Sequence, residues 1–575
     1  MNFCYCVGGT GARVAEVAAY LCAMNMITGD DKDITFFVVD KDKSCGGTKH
    51  AISVLQAITN LADVNNGGKN ALKRSDVFQN KKYYFCNSKL NFSAEWDFTN
   101  AIDTLINEGA GRKIATNLKK MITEDRNSNA DDQVLLNAFF SKEEQEQTNE
   151  GGFYGHPSAG AFTFKYMSKK GHWATEEAKS DIAQPVVDFL NNNNSGIANV
   201  FIIGSVFGGT GASVFPNLAS QIRSSVKAAI TDFSKRLVIS GVLLLPYFAA
   251  HKEEVDNPVI DSTDFYQKTK IALEQYGKDK NMMRTGNNQN GYFDSLYVCG
   301  QDPLNYTGNY ADHGAEQQNH FDLVDLVAAR AMVEFFNNPS KAQEHPGRVL
   351  LYRFTDADTP ISSVDLAGII EMKRNLSTML YFSTFVITKV YGMYLANGED
   401  PENVPIFDAT YNVSKELKSG FLRKQTNNEY AHIKDEAENF LKNIYSFCKN
   451  FILMMRDISY NGKDWSTKIN ALSTDDHSEN YNFYNRSYIE NLIDICDTID
   501  ENTVKANKIG AFCARRDYLG GEGENSGIEF DDMIISLKEK FKDIIAQYQV
   551  GTTSMQLRFS DYLHEAYDYC YRYFK

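Results

Sequence analysis

The pentapeptide Gly-Gly-Thr-Gly-Ala occurs twice in this chain, at Gly8-Gly9-Thr10-Gly11-Ala12 and at Gly208-Gly209-Thr210-Gly211-Ala212. Each copy stands between a short apolar run and an amphipathic segment. Asn2 to Val7 precedes the first copy, and Val14, Val17, Ala18, Leu21 and Cys22 follow it at helical spacing. Asn199 to Gly204 precedes the second, and Ser213 to Val226 reads as the helix after it. Glycine at such a turn lets the backbone approach a ligand closely and aim its N–H groups inward. The helix that follows adds the positive end of its dipole. This is what a phosphate group needs, and Thr10, Thr210 and Ser213 add hydroxyls for phosphate oxygens or the water shell of Mg²⁺. A pair of tight turns without a ligand is the alternative. Neither copy carries the lysine of a Walker A loop, so that reading fails. A dinucleotide fingerprint is not met either, because Gly9-Thr10-Gly11 runs on into Arg13 and Val14 and the second copy has no role in it. An NAD(P)-dependent enzyme therefore stands as the lesser alternative.

The rest of the first half alternates in the same way. Ile34 to Asp40 is a continuous apolar strand ending in an acid, Leu237 to Leu245 and Ser295 to Cys299 are two more, and Tyr83 to Cys86 is a short candidate. Such strands, separated by helices, predict an α/β fold with a parallel sheet covered on both faces. Sites in such sheets lie at the carboxyl ends of the strands. The polar stretches Glu124 to Gly152 and Lys278 to Asn290 read as insertions or surface. From about Asp365 the texture becomes helical, with amphipathic segments at Met372 to Tyr394, Ser414 to Ile458, Tyr488 to Ile499, Phe530 to Tyr548 and Met555 to Tyr573. The organisation expected is a Rossmann-like nucleotide-binding domain over residues 1–340 and a largely helical C-terminal region over residues 341–575. Only 11 prolines in 575 residues agree with a helix-rich chain.

Composition narrows the partners. Hydrophobic residues at 43% and charged residues at 23% are those of a folded protein, and 59 basic against 74 acidic residues give a net charge of −15. That balance argues against direct nucleic-acid binding and against docking on anionic lipid. The most apolar stretch, Val238 to Ala250, is short for a membrane span and contains Ser240, Gly241 and Pro246. The opening residues lack the basic region of a secretory signal. The ten cysteines are scattered in apolar runs, with Cys4 and Cys6 on one face of a strand. Buried reduced thiols in a cytoplasmic protein are expected rather than disulfides or zinc ligands.

The segment Gly204-Ser205-Val206-Phe207-Gly208-Gly209-Thr210-Gly211-Ala212-Ser213 resembles the signature loop of the tubulin and FtsZ superfamily, with Phe207 in place of its first glycine. Gly155-His156-Pro157-Ser158-Ala159-Gly160 is similar to the loop that faces the γ-phosphate in FtsZ, with Ser158 at the acidic position. Asn319 to Phe336 resembles the long central helix whose first turns hold the guanine, which makes Asn319, Phe321 and Asp325 its candidates. Phe321 and Asp325, four apart, share a helical face. The resemblance covers roughly residues 1–370 and is to the divergent bacterial tubulin-like proteins. It implies GTP and Mg²⁺ as cofactors, with the triphosphate over Gly8 to Ala12 with Arg13 and over Phe207 to Ser213. Gly155, His156, Pro157 and Gly160 would close on the γ-phosphate, and Asp40 or Asp42 would reach a Mg²⁺ water. It also implies head-to-tail self-association into filaments, in which an acid from the next subunit completes slow hydrolysis. Asp356, Asp358 and Asp365 are the candidates, although Asp365 also suits a helix N-cap. A scaffold that binds nucleotide without polymerising and docks a partner protein through its helical region is the alternative.

Overall fold

The computed structural model describes residues 1–29, 31–40, 46–66, 84–86, 90–97, 117–123, 129–146, 157–170, 182–251, 265–301, 305–309, 321–354, 366–396, 404–411, 425–460, 486–500, 530–544 and 555–573. These divide into two compact units. The first comprises Met1–Leu21, Ile27–Leu55 and Leu90–Ser363, and the second Cys22–Met26, Gln56–Lys89 and Val364–Lys575.

The first unit is built on a seven-stranded sheet in the order β3-β2-β1-β4-β5-β7-β9, with every pair parallel. Its strands are β1 (Asn2–Val7), β2 (Ile34–Asp40), β3 (Leu90–Asp97), β4 (Ala198–Ser205), β5 (Leu237–Leu244), β7 (Ser295–Gln301) and β9 (Arg348–Phe354). A separate parallel pair is formed by β6 (Phe248–His251) and β8 (Asn305–Asn309). Strands β1, β2, β4 and β5 are buried along their whole length, which is why their sequences are continuous apolar runs rather than alternating ones.

Side-chain alternation splits the strands between two covered faces. On one face Cys4 Sγ lies 3.7 Å from Met332 Sδ of helix α7 (Leu323–Asn337), and the Phe201 ring packs on Phe335 and Phe336. On the other, Tyr5 stacks on Phe37 and donates to the carbonyl of Ile182 at 2.9 Å, while Phe3 meets Phe189 of helix α4 (Gln184–Asn192) edge-on. Between these elements run α1 (Gly8–Ala23), α2 (Gly46–Asn66), α3 (Pro157–Lys170), α5 (Gly209–Ala229) and α6 (Phe265–Lys278). The expected α/β class with a parallel sheet holds.

One expectation needs correction. Residues 84–86 form a bend, not a strand: Cys86 takes the left-handed φ of 48° and donates its N–H to the carbonyl of Ala23 at 2.8 Å. The polar stretch from Glu124 to Gly152 is surface where it is described: residues 129–146 contain two short, largely exposed helices, Ala130–Phe139 and Lys142–Glu146. The first is started by a capping box in which Asn129 and Asp132 bond each other's backbone N–H.

The second unit is mostly helical in its described residues. It contains α8 (Leu366–Phe385), which runs into a π-helical stretch Val386–Gly392, α9 (Gln425–Tyr460), α10 (Arg486–Asp500), α11 (Phe530–Lys542) and α12 (Met555–Tyr573). Leu441, Ile444, Cys448, Phe451, Ile452 and Met455 form one buried stripe of α9 at the spacing of an amphipathic helix. Phe85 stacks on Tyr567 of α12 and packs on Phe382 of α8, each at 4.9 Å. No helix among the described residues is long and apolar enough to cross a membrane.

Candidate functional site

The strand order reverses direction around β1 and β4, since β1 leads outward to β2 and β4 leads outward to β5. The crevice beyond the carboxyl ends at such a point is where open parallel sheets bind ligands. Both copies of the repeated pentapeptide lie there. Helix α1 begins at Gly8, directly after Val7 closes β1, and α5 begins at Gly209, with Gly208 as its N-cap. Gly8 has the left-handed φ of 72°, which glycine reaches without strain. The two turns meet: a Cβ placed on Gly8 would stand 3.5 Å from the Gly211 nitrogen and 3.5 Å from Thr210 Cβ.

The last glycine of each copy has a packing role. At Gly11 a Cβ would fall 2.9 Å from the carbonyl carbon of Cys6 and from the oxygen of Ile203, so α1 sits directly on the backbone of β1 and β4. At Gly211 it would fall 2.5 Å from the oxygen of Ser205. The preceding residues remain reachable. Gly9, Thr10, Gly208 and Gly209 are half-buried, and Gly208 supplies no side-chain hydrogen bond to the first turn of α5. The N–H groups of a first helical turn have no partner within the helix and suit an anion.

A third helix start joins them. Helix α2 opens with Gly46-Gly47-Thr48, and the Thr48 hydroxyl lies 3.5 Å from Asp40 Oδ2 at the end of β2. The Thr210 hydroxyl lies 3.5 Å from Asp40 Oδ1. Asp40 is 6% exposed, so a carboxylate flanked by two threonine hydroxyls is set into the floor of the crevice. The role of residues 46–48 was not anticipated from the sequence. The signal was present, however: a third Gly-Gly-Thr follows an apolar strand ending in an acid.

Other candidate residues are committed inside the protein. The Ser213 hydroxyl donates to the carbonyls of Gly209 at 2.7 Å and Thr210 at 3.0 Å, back into its own helix. Phe207 is 3% exposed and packs on Tyr247 and on Phe265 of α6. Ala212 is buried in the first turns of α5, and its carbonyl accepts from the Tyr276 hydroxyl at 2.5 Å. Arg13 leaves the turn altogether: its Nε donates to Asp325 Oδ2 at 2.9 Å and its Nη2 to the Tyr247 hydroxyl, which donates in turn to Asp325 Oδ1 at 2.6 Å. Asp325 Oδ2 also accepts the N–H of Asp322 at 3.0 Å, completing a capping box at the start of α7. Burial alone would lower the basicity of Arg13, but the Asp325 charge and Tyr247 outweigh it and raise its pKa. Burial, assisted by Asp325, holds the Tyr247 hydroxyl protonated well above its usual range.

Phe321 is 9% exposed just before α7. Pro157 opens α3, the position a proline favours, with Gly160 buried in the same first turn. Asn319, Gly155, His156, Asp42, Asp356, Asp358 and Asp365 lie outside the described residues. Among the described residues no group of three or more His, Cys, Asp and Glu side chains is placed to hold a metal ion. No protein-family model matches the chain, and no curated protein matches it.

Proposed function

We propose that this chain binds a nucleoside triphosphate, GTP by its resemblance to the tubulin and FtsZ superfamily, with the phosphate chain over Gly8 to Ala12 and Gly208 to Gly211. The observation that carries this reading is the meeting of the two repeated turns, so close that a Cβ placed on Gly8 would stand 3.5 Å from the Gly211 nitrogen, at the reversal point of a parallel sheet. Two helix starts facing one crevice bring two sets of N–H groups and two dipole ends to a single anion. Asp40, with the Thr48 and Thr210 hydroxyls beside it, is a set of hard oxygen donors of the kind Mg²⁺ takes with nucleotide phosphates. When bound, Mg²⁺ supplies neutralisation of phosphate charge. The residues of this chain hold the phosphates in place.

Nucleotide released from the purified protein by denaturation and identified by chromatography tests the reading. Guanine nucleotide in near-stoichiometric amount is expected, with loss of binding in Thr10→Ala combined with Thr210→Ala. Protein that neither carries nor binds any nucleoside triphosphate removes it. The same measurement decides the dinucleotide alternative, which the acid at the end of β2 favours, because NAD(P) would then be recovered instead. Self-assembly into filaments and slow hydrolysis are proposed on the resemblance alone. Light scattering with GTP and with GDP tests the first and phosphate release from GTP the second, and the absence of any nucleotide-dependent polymer leaves the scaffold reading.

A further inference from the structure

Within the nucleotide reading, on which this inference rests, the superfamily resemblance gives Asp325 to the base. The arrangement of its partners assigns it elsewhere. Asp325 is fully buried, and its two oxygens accept from Arg13, Tyr247 and the backbone of Asp322. An ionised carboxylate has about four acceptor positions, and three donors already converge on this one from inside the protein. Asp322, the other acid at the start of α7, is also fully buried and accepts the N–H of Val324 at 3.0 Å.

The three members of the cluster come from different parts of the unit. Arg13 belongs to α1, five residues after Gly8, which at 1.5 Å per residue places it about 7.5 Å along the axis from Gly8 and directly after the turn. Tyr247 stands just past the end of β5, and Asp325 in the first turn of α7. Arg13 is 6% exposed and Tyr247 fully buried, so the contact is held away from water. At its first turn the glycine seat on Cys6 and Ile203 sets how close α1 comes to the sheet. The planar guanidinium, with Nε on Asp325 and Nη2 on the Tyr247 hydroxyl, fixes direction, because its donors lie in one plane and the bond to the carboxylate is charge-assisted.

We infer that Arg13, Tyr247 and Asp325 form a strut that aims the Gly8 to Gly11 turn at the phosphates, with Asp325 acting as a positioning residue rather than as a contact to the base. The strut acts on the phosphate end of any ligand. Breaking it should therefore weaken a ligand with a base and a ligand without one by the same factor.

Titration of wild type and Asp325→Asn with GTP, and with inorganic tripolyphosphate by competition against a fluorescent GTP analogue, reads the difference. Equal loss for both ligands is expected, on the order of fivefold to a hundredfold, the usual range of coupling between sites. Loss for GTP with tripolyphosphate unchanged would mean that Asp325 holds the base, and unchanged affinity for both would mean that the cluster only stabilises the fold; either result overturns the inference. If Asp325→Asn fails to fold, Tyr247→Phe keeps the Arg13–Asp325 pair, removes one donor, and is read in the same comparison. Wild-type protein that binds neither ligand would instead count against the nucleotide reading itself.

Discussion

At the scale of single residues, the repeated pentapeptide serves two purposes with different glycines. Gly11 and Gly211 are seats: a Cβ there would collide with strand backbone at 2.9 Å and 2.5 Å, and backbone cannot step aside as a side-chain tip can. Gly11→Ala and Gly211→Ala should each lower the stability of the protein by about 1–3 kcal/mol, as overpacking does. Urea melts with unchanged midpoints would show that the helices have room to lift. A second residue-scale prediction concerns Asp294, fully buried between Arg284 at 2.6 Å and Arg223 at 2.7 Å, and accepting the N–H of Ile239 at 2.7 Å. Burial drives the Arg223 pKa down against the pull of Asp294, so this cation depends on its partner. Asp294→Asn leaves two guanidinium groups without their counter-ion and should cost about 3–5 kcal/mol, read as a lower urea midpoint. The glycines were legible as a motif in the sequence, whereas their division of labour was not. Which glycine is a seat depends on whose backbone passes overhead, and Arg13 and Asp325 meet across 312 residues of chain.

At the scale of elements, strands that are buried on both faces were legible almost to the residue, because burial demands a continuous apolar run. Asn2–Val7 and Ile34–Asp40 match the reading outright. The strands missed were the edges of the large sheet, Leu90–Asp97 and Arg348–Phe354, where polar residues interrupt the pattern and Val349 and Leu351 are exposed, and the separate pair Phe248–His251 and Asn305–Asn309. Helix starts were read late for a related reason. The apolar stripe of α1 begins at Val14, so periodicity does not register the glycine-rich turn from Gly8 onward that precedes it. Helix α5 contains Pro216, which has no N–H for the Ala212 carbonyl four residues earlier. The Tyr276 hydroxyl of α6 donates to that carbonyl instead, and burial holds the hydroxyl protonated. Tyr276→Phe should cost about 1–3 kcal/mol through an unsatisfied buried acceptor. A thermal melt identical to wild type would mean that water replaces the hydroxyl. At α7, Asp322→Ala removes an N-cap and half of a capping box, for which about 1 kcal/mol is expected.

At the scale of the whole molecule, the thiols report on burial. Among the described residues Cys4, Cys6, Cys22, Cys86, Cys299, Cys448, Cys496 and Cys570 are reduced thiols, all buried. Burial pushes the Cys22 thiol up from 9.0 to about 12. Because the folded value lies above the unfolded one, this contribution to stability is complete below about pH 9 and is lost as the pH rises through about 12. Urea midpoints should therefore fall across that alkaline window. Near pH 8 these thiols should resist a disulfide reagent until denaturant is added, and fast reaction of all of them in the native protein would contradict the burial. The alternation of apolar strands with helices, the change to helical texture after about residue 365 and the doubled glycine turn follow from local pattern, since periodicity and glycine content act through neighbours in the chain. The strand order, the meeting of Gly8 with Gly211, the placing of Thr48 beside Asp40 and the diversion of Arg13 to Asp325 were decided only in the folded structure. Each depends on segments far apart in sequence being brought together by the sheet, and no local pattern encodes which side chain a buried charge will find.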